Sequence, residues 1–143
     1  MNLQQKILNL QKNQINSGRN GRVKSSDGII DLPVRMPTAM GGPGGEFTNP
    51  EQLFAAGYAA CFGGALGAVA KGRDVGSAEV TVKASIGKTE AGGFGLAVAI
   101  HVLLPKLDQA TAQQVVEDAH QVCPYSIATR GNIEVTVSAT GGL

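Results

Sequence analysis

The longest uncharged segment of the chain, residues 52–70, predicts a buried helix that runs from Pro50 to about Lys71. Its start is well marked: Asn49 is a favourable N-cap, and Pro50 suits the first helical position. Glu51 lies in the first turn, where the helix dipole favours an anion. Small residues at every fourth position let another backbone approach closely. They form two rows, Ala56, Ala60, Gly64 and Ala68, and Gly57, Cys61 and Ala65.

The same helix meets the length criterion for a membrane span. However, it is built from Ala and Gly more than from Leu, Ile or Val, and the rest of the chain is polar. We therefore interpret it as the central helix of a soluble protein, packed tightly on another helix, and we expect no membrane segment.

Alternating apolar and polar positions predict six strands around this helix. Three precede it: a weak strand at residues 7–15, then strands at residues 22–24 and 29–34, with Asn20-Gly21 as a tight hairpin turn that presents Arg19 at its tip. Strands at residues 79–86 and 94–104 follow the helix, and residues 133–137 form the last one.

A second helix is predicted between the last two strands. Asp108 is its N-cap, its apolar stripe ends at Cys123, and Pro124 stops it. Residues 125–131 are expected to form a short turn. The element order contains no β-α-β repeat, so we predict an α+β fold in which antiparallel sheet packs against the helices.

Composition narrows the classes of protein. A length of 143 residues with 43% hydrophobic residues predicts one domain spanning residues 1–143. The net charge of +1 argues against nucleic acid or an anionic membrane surface as a partner. Residues 1–13 are polar and lack an apolar core, so we expect no signal peptide and a cytoplasmic location. Two cysteines in that compartment are expected to be free or redox-active.

Cys61 and Cys123 lie on the apolar faces of separate helices, which would bring them together if the two helices pack. The simpler alternative is that both are small buried hydrophobes. His101 and His120 show no metal-ligand spacing with the cysteines, so we expect no metal site and no special role for either histidine. A Cys-His hydrolase is a less favoured alternative.

Two motifs are specific enough to indicate a family. They are Asn-Pro-Glu-Gln-Leu-Phe-Ala-Ala-Gly-Tyr-Ala-Ala-Cys-Phe at residues 49–62 and Val-Cys-Pro-Tyr-Ser-Ile-Ala-Thr-Arg-Gly-Asn at residues 122–132. Both closely resemble the organic hydroperoxide resistance proteins, a branch of the osmotically inducible protein C family. The likeness extends from about Ser17 to Val137, and the second motif favours this branch over the sister osmotically inducible branch. Ile127 departs from the usual Asn, and Phe47 stands where Gly is common.

The resemblance implies an intertwined homodimer in which antiparallel sheets wrap around two central helices. It implies a thiol peroxidase that reduces organic hydroperoxides to alcohols without a cofactor. Cys61 corresponds to the peroxidatic nucleophile, Cys123 to the resolving cysteine, and Arg19 and Glu51 to a charged pair beside Cys61. In this family the resulting intramolecular disulfide is reduced by lipoylated proteins or small dithiols.

Elementary chemistry fits these roles, because a guanidinium near Cys61 would lower its pKa and a carboxylate would hold the guanidinium in place. Glu51 and Cys61 are ten residues apart, about 15 Å along a straight helix. We therefore hypothesise that Arg19 and Glu51 reach Cys61 from the partner subunit; the alternative is that Glu51 only caps its helix.

A second class of function stays open: a non-catalytic module that binds an apolar ligand such as a fatty acyl chain, with inert thiols. Such a module would need neither the pair of Arg19 and Glu51 nor a second cysteine placed to resolve the first.

Overall fold

The computed structural model describes residues 7–10 and 18–143, and its α+β fold, with two sheets and three helices, confirms the predicted class. The elements are β1 (Ile7–Leu10), β2 (Arg22–Ser25), β3 (Asp31–Pro33), α1 (Pro50–Val69), β4 (Glu79–Lys88), β5 (Phe94–Leu104), α2 (Gln109–Val122), α3 (Pro124–Thr129) and β6 (Glu134–Gly141). The chain divides into two compact units, Met1–Leu53 and Phe54–Leu143, and each is described by itself. That residues 1–143 form one domain stays a prediction.

Unit one contains an antiparallel sheet in the order β1-β2-β3. The predicted hairpin turn at Asn20-Gly21 is wrong: Gly18, at φ 75°, takes the positive φ angle, and a short 3-10 turn covers Gly18–Asn20. The Asn20 side chain accepts a hydrogen bond from the Met36 amide at 3.0 Å, which fixes this turn. β1 is described as far as Leu10, and the rest of the predicted first strand lies outside the described residues.

The start of α1 follows the prediction. The helix begins at Pro50, and the Asn49 side chain accepts a hydrogen bond from the Gln52 amide at 2.8 Å, as expected of an N-cap. Because proline has no amide hydrogen, Pro50 leaves no unpaired donor at the first helical position.

The prediction that α1 is buried is wrong for the single chain. Of its 20 residues, four are buried, Tyr58, Phe62, Ala65 and Leu66. The exposed face includes one of the two predicted small-residue rows, Ala56, Ala60, Gly64 and Ala68. By length and composition α1 is the one helix among the described residues that could cross a membrane, although its buried side chains belong to the core of unit two.

Unit two contains the sheet β4-β5-β6. β4 and β5 form the predicted antiparallel hairpin, which turns at Gly92 with φ 91°. The expectation of antiparallel pairing is wrong for β6, which runs parallel to β5 with Val98 opposite Val135. The parallel pairing follows from the crossover, because α2 and α3 return the chain to the end of the sheet where β5 began.

The core of unit two lies between one face of this sheet and the helices. β5 contributes alternate residues, as its sequence pattern predicts, and α2 contributes its apolar stripe. The buried side chains of these two elements are Val98, Ile100, Val102, Leu104, Ala112, Val115, Val116 and Ala119. α2 begins as predicted, since the Asp108 side chain accepts a hydrogen bond from the Thr111 amide at 2.9 Å.

The segment after α2 is helical, which corrects the predicted turn at residues 125–131. Pro124 ends α2, as expected, and also occupies the first position of α3, where its fixed φ suits a helix start. Cys123 therefore stands between two helices, as the C-cap of α2 and the N-cap of α3.

Candidate active site

The two cysteines meet, as the packing of their helices predicts. Cys61 lies in the middle of α1 and Cys123 at the junction of α2 and α3, and their sulfur atoms are 3.4 Å apart. Both are free thiols; Cys123 is fully buried and Cys61 is half-buried. A disulfide requires a sulfur separation of about 2.05 Å. A shift of little more than an ångström would therefore join them.

The surroundings of Cys61 in unit two favour the neutral thiol. Burial raises the pKa of Cys61, and the neighbouring Cys123 thiol raises it further. The backbone amide of Tyr125, in the first turn of α3, donates a hydrogen bond to the Cys61 sulfur and acts in the opposite direction. The sequence predicts a lowered pKa for Cys61, whereas the groups around this thiol in the single chain raise it.

Three aromatic rings form a cluster on α1 and α3, the helices that carry or follow the two cysteines. Tyr58 and Phe54, on α1, meet edge to face with ring centroids 5.8 Å apart, and Tyr125 of α3 lies 5.6 Å from the Tyr58 ring and 6.3 Å from the Phe54 ring. Gly57 makes room for this arrangement, because a Cβ there would lie 3.1 Å from the Tyr125 hydroxyl oxygen. Cys61 and Phe54 pack against the hydrophobic core that includes Tyr58, an apolar environment suited to an alkyl group.

Two residues of the second small-residue row, Gly57 and Cys61, contact residues at the start of α3. Gly57 leaves room for the Tyr125 side chain, and Cys61 contacts Cys123 at the start of α3. Ile127, the residue that departs from the family pattern, projects a side chain that is 57% exposed, while its amide donates to the Cys123 carbonyl at 3.0 Å.

In unit one, Arg19 and Glu51 form a bidentate ion pair. Arg19 Nη1 donates to Glu51 Oε2 at 3.0 Å and Nη2 donates to Oε1 at 2.8 Å. The hydrogen bonds from Arg19 hold the pKa of Glu51 below its ordinary value, and the Glu51 carboxylate raises the pKa of Arg19. The pairing that the sequence predicts is present, and Glu51 does more than occupy the first turn of its helix.

Sequence reasoning missed a buried polar network next to the thiols. Ser126, which is fully buried, receives two contacts through its hydroxyl, from His120 Nδ1 at 2.7 Å and from the Tyr58 hydroxyl at 2.8 Å. His120, for which the sequence predicts no special role, belongs to this network. His101 is exposed, as predicted, and its ring contacts two hydroxyl groups of β6.

No group of three or more His, Cys, Asp or Glu side chains that could hold a metal ion occurs among residues 7–10 and 18–143. In unit two the free thiols of Cys61 and Cys123 are capable of thiol–disulfide chemistry.

Comparison with known proteins identifies the family. The family model described as OsmC-like protein matches residues 42–138. An organic hydroperoxide resistance protein of Xanthomonas axonopodis pv. citri is 48% identical over 136 residues, which cover 94% of this chain and 96% of that protein.

Solved structures agree with these matches. An organic hydroperoxide resistance protein from Elizabethkingia anophelis is 49% identical with a TM-score of 0.81, over 88% of this chain and 91% of its own. One from Legionella pneumophila is 41% identical with a TM-score of 0.84, over 96% and 97% of the two chains. The chain therefore belongs to the OsmC-like family, and these three relatives are named organic hydroperoxide resistance proteins.

Proposed function

We propose that this protein is a thiol peroxidase that reduces organic hydroperoxides to alcohols, with Cys61 as nucleophile and Cys123 as resolving cysteine. The observation that supports this most directly is the 3.4 Å approach of the two sulfur atoms at the junction of three helices. Two inert cysteines would need no such juxtaposition. The relatives named as organic hydroperoxide resistance proteins supply the substrate class.

In the first step the Cys61 thiolate attacks the distal oxygen of the hydroperoxide. A sulfur–oxygen bond forms as the peroxide bond breaks, so the sulfur loses two electrons to the peroxide and becomes a sulfenic acid. The departing alkoxide takes up a proton and leaves as the alcohol. The partly exposed rings of Phe54 and Tyr125 supply an apolar surface for the alkyl group, which favours bulky hydroperoxides over hydrogen peroxide.

In the second step the Cys123 sulfur attacks the oxidised sulfur of Cys61. A disulfide bond forms, the sulfur–oxygen bond breaks, and hydroxide leaves with the Cys123 proton as water. A dithiol then reduces the disulfide by exchange, and we propose a lipoylated protein or a small dithiol as the donor. One cycle consumes one hydroperoxide and two thiol hydrogens, and it yields one alcohol and one water.

A thiolate nucleophile needs a cation near it, because burial raises the Cys61 pKa. We propose that the pair of Arg19 and Glu51 serves the Cys61 of a second copy of the chain in a homodimer. The exposed, uncharged small-residue face of α1 supports such an assembly, since large uncharged faces seldom stay open to water. Arg19 would lower the Cys61 pKa and stabilise the leaving alkoxide, and Glu51 would hold the guanidinium.

The competing function is a non-catalytic module that binds an apolar ligand, in which both thiols only pack. The bidentate ion pair and the contact between the sulfurs favour the peroxidase, because a binding module uses neither. For either function we propose a water-soluble protein of the cytoplasm, with α1 as a core helix.

The test is a thiol count before and after one equivalent of tert-butyl hydroperoxide, with Cys61→Ser as the control. We expect the wild type to lose both thiols into an intramolecular disulfide within one chain, and the variant to keep its single thiol. Survival of both wild-type thiols would rule out the peroxidase and favour the binding module.

A further inference from the structure

Four side chains form a continuous hydrogen-bond chain in the interior of unit two. His120 Nδ1 contacts Ser126 Oγ at 2.7 Å, Ser126 Oγ contacts the Tyr58 hydroxyl at 2.8 Å, and that hydroxyl contacts Thr129 Oγ1 at 3.2 Å. Thr129 Oγ1 in turn donates to the Ser126 carbonyl at 3.2 Å. Ser126 and Tyr58 are fully buried, so water does not compete for these groups.

Only one arrangement of donors makes all four contacts hydrogen bonds at the same time. The Thr129 hydroxyl has one hydrogen, which the Ser126 carbonyl accepts, so Thr129 Oγ1 must accept from Tyr58. Tyr58 has then used its own hydrogen and must accept from Ser126. By the same count Ser126 accepts from His120, whose Nδ1 therefore bears the hydrogen. In this arrangement the group at position 120 is a donor.

The chain ties together the three backbone segments that hold the two sulfurs. Tyr58 lies one turn before Cys61 on α1, and His120 lies about one turn before Cys123 on α2. Ser126 belongs to α3, three residues after Cys123. A second anchor acts at the same place, because Arg130 Nη2 donates to the His120 carbonyl at 2.7 Å.

We propose that His120 is a positioning residue for the closure of the disulfide between Cys61 and Cys123. Through Ser126 and Tyr58 it holds the start of α3 against α1, so that the two sulfurs stay within reach of each other. The functional role of this positioning rests on the proposed peroxidase cycle. The positioning of the two sulfurs can be tested without that cycle.

The neutral imidazole suits this role. Burial, and secondarily the Arg130 charge, lower the pKa of His120, which favours the uncharged ring at neutral pH. In the donor arrangement described above, the hydrogen of that ring is on Nδ1. Protonation would add a hydrogen at the other nitrogen and leave the donor to Ser126 in place. His120 therefore acts through its donor and not through a change of charge.

The test compares His120→Leu with His120→Asn. The two replacements have nearly the same shape, but only Asn places an N–H donor where Nδ1 stands. We expect the Leu variant to form the disulfide about tenfold to a hundredfold more slowly than the wild type, as misplacement by about an ångström does in other reactions. We expect the Asn variant to keep most of the wild-type rate.

Two rates are measured separately. Residual tert-butyl hydroperoxide in quenched samples gives the peroxide step, and mass spectrometry of maleimide-blocked samples gives the disulfide and any sulfinic acid. The Leu variant should slow the disulfide step selectively and accumulate sulfinic acid on Cys61. Tyr58→Phe, which removes one hydroxyl and little volume, should act in the same direction and serves if the Leu variant does not fold.

A second oxidant separates this inference from the proposed function. Diamide closes a dithiol without any peroxide: one thiol adds to its nitrogen–nitrogen double bond, and the second thiol displaces the adduct, leaving the hydrazine. If the wild type does not react with the hydroperoxide, the peroxidase proposal fails. The rates of disulfide closure by diamide then still test the positioning role of His120. Equal diamide closure in the wild type and the Leu variant, or equal slowing by Leu and Asn, would overturn the positioning role.

Discussion

The sulfur atoms of Cys61 and Cys123 lie 3.4 Å apart without a bond, although 62 residues separate them in the sequence. Cys61 lies on α1 and Cys123 at the junction of α2 and α3. The contact therefore depends on how the helices pack and not on a local motif. Because the sulfurs are already within about 1.4 Å of bonding distance, formation of the disulfide needs a local shift and no refolding.

The first prediction concerns Cys123→Ser, which keeps the shape of the side chain but cannot form a disulfide. One equivalent of hydroperoxide should still oxidise Cys61, and the sulfenic acid should persist long enough for dimedone to trap it. A second equivalent should convert it to sulfinic acid, because nothing resolves it. Mass spectrometry distinguishes these products. If the variant turned over with a dithiol as fast as the wild type, Cys123 would have no resolving role.

The second prediction concerns Glu51→Gln, which keeps the shape of Glu51 and removes its charge. The bidentate ion pair with Arg19 becomes a single weaker contact, so the guanidinium is no longer held in one orientation. We expect the peroxide step to slow by about tenfold or more, while closure of the disulfide by diamide keeps its rate. The matched control is Glu46→Gln, which alters an exposed carboxylate of the same unit. Equal effects of the two substitutions would exclude a specific role for Glu51.

The third prediction follows from the lowered pKa of Glu51. A carboxyl group with a lowered folded-state pKa stabilises the fold above its unfolded-state pKa, and this stabilisation is lost as the pH falls through the folded-state value. The difference in Tm between the wild type and Glu51→Gln should therefore stay constant from neutral pH down to about pH 5. It should shrink only at more acidic pH. A difference that already shrinks between neutrality and about pH 5 would show that Arg19 does not lower this pKa.

Local rules explain why much of this structure could be predicted from the sequence. The N-caps Asn49 and Asp108, the proline at the start of α1 and the alternation along β5 each depend on neighbours within a few residues. The contact between Cys61 and Cys123 could be predicted for a related reason. Each cysteine lies on the apolar face of its own helix, and apolar faces pack together.

The features that could not be predicted depend on distant partners. The Tyr58 hydroxyl finds Ser126 68 residues away, and no spacing in the sequence marks that contact. The sequence does not mark His120 as part of a network, because a lone histidine at the edge of an apolar stripe can serve many purposes. The parallel placement of β6 depends on the path of the α2–α3 crossover, which a strand pattern does not contain.

The fourth prediction concerns the exposed face of α1. Ala60 lies on the exposed small-residue row, so Ala60→Glu should leave the single chain folded. If a second copy covers this face, the buried charge should dissociate the dimer, because an unpaired carboxylate is costly to remove from water. Sedimentation velocity should show a monomer for Ala60→Glu and a dimer for Gln52→Glu, which adds the same charge to an exposed position on the same helix. A dimer that tolerates Ala60→Glu would place the interface elsewhere.

The fifth prediction concerns Gly57, which lies under the Tyr125 ring. Replacing a glycine inside a helix by alanine stabilises that helix by about 1 kcal/mol when the new methyl group is unobstructed. At Gly57 the methyl carbon would lie 3.1 Å from the Tyr125 hydroxyl oxygen and 3.3 Å from a ring carbon, so the ring must move by a few tenths of an ångström. We therefore expect Gly57→Ala to gain less stability than Gly63→Ala, where no atom lies within 4 Å.

The Gly57→Ala substitution should also change the pKa of Cys61. The Tyr125 amide donates a hydrogen bond to the Cys61 sulfur, and displacing the Tyr125 ring should shift that amide. Alkylation of Cys61 by iodoacetamide, followed against pH, should report a thiol pKa higher in Gly57→Ala than in the wild type, because a weakened hydrogen bond stabilises the thiolate less. Gly63→Ala should leave the profile unchanged. If both variants titrate as the wild type does, the contact between Gly57 and Tyr125 serves packing alone, and the α3 amide is held by the network around Ser126 instead.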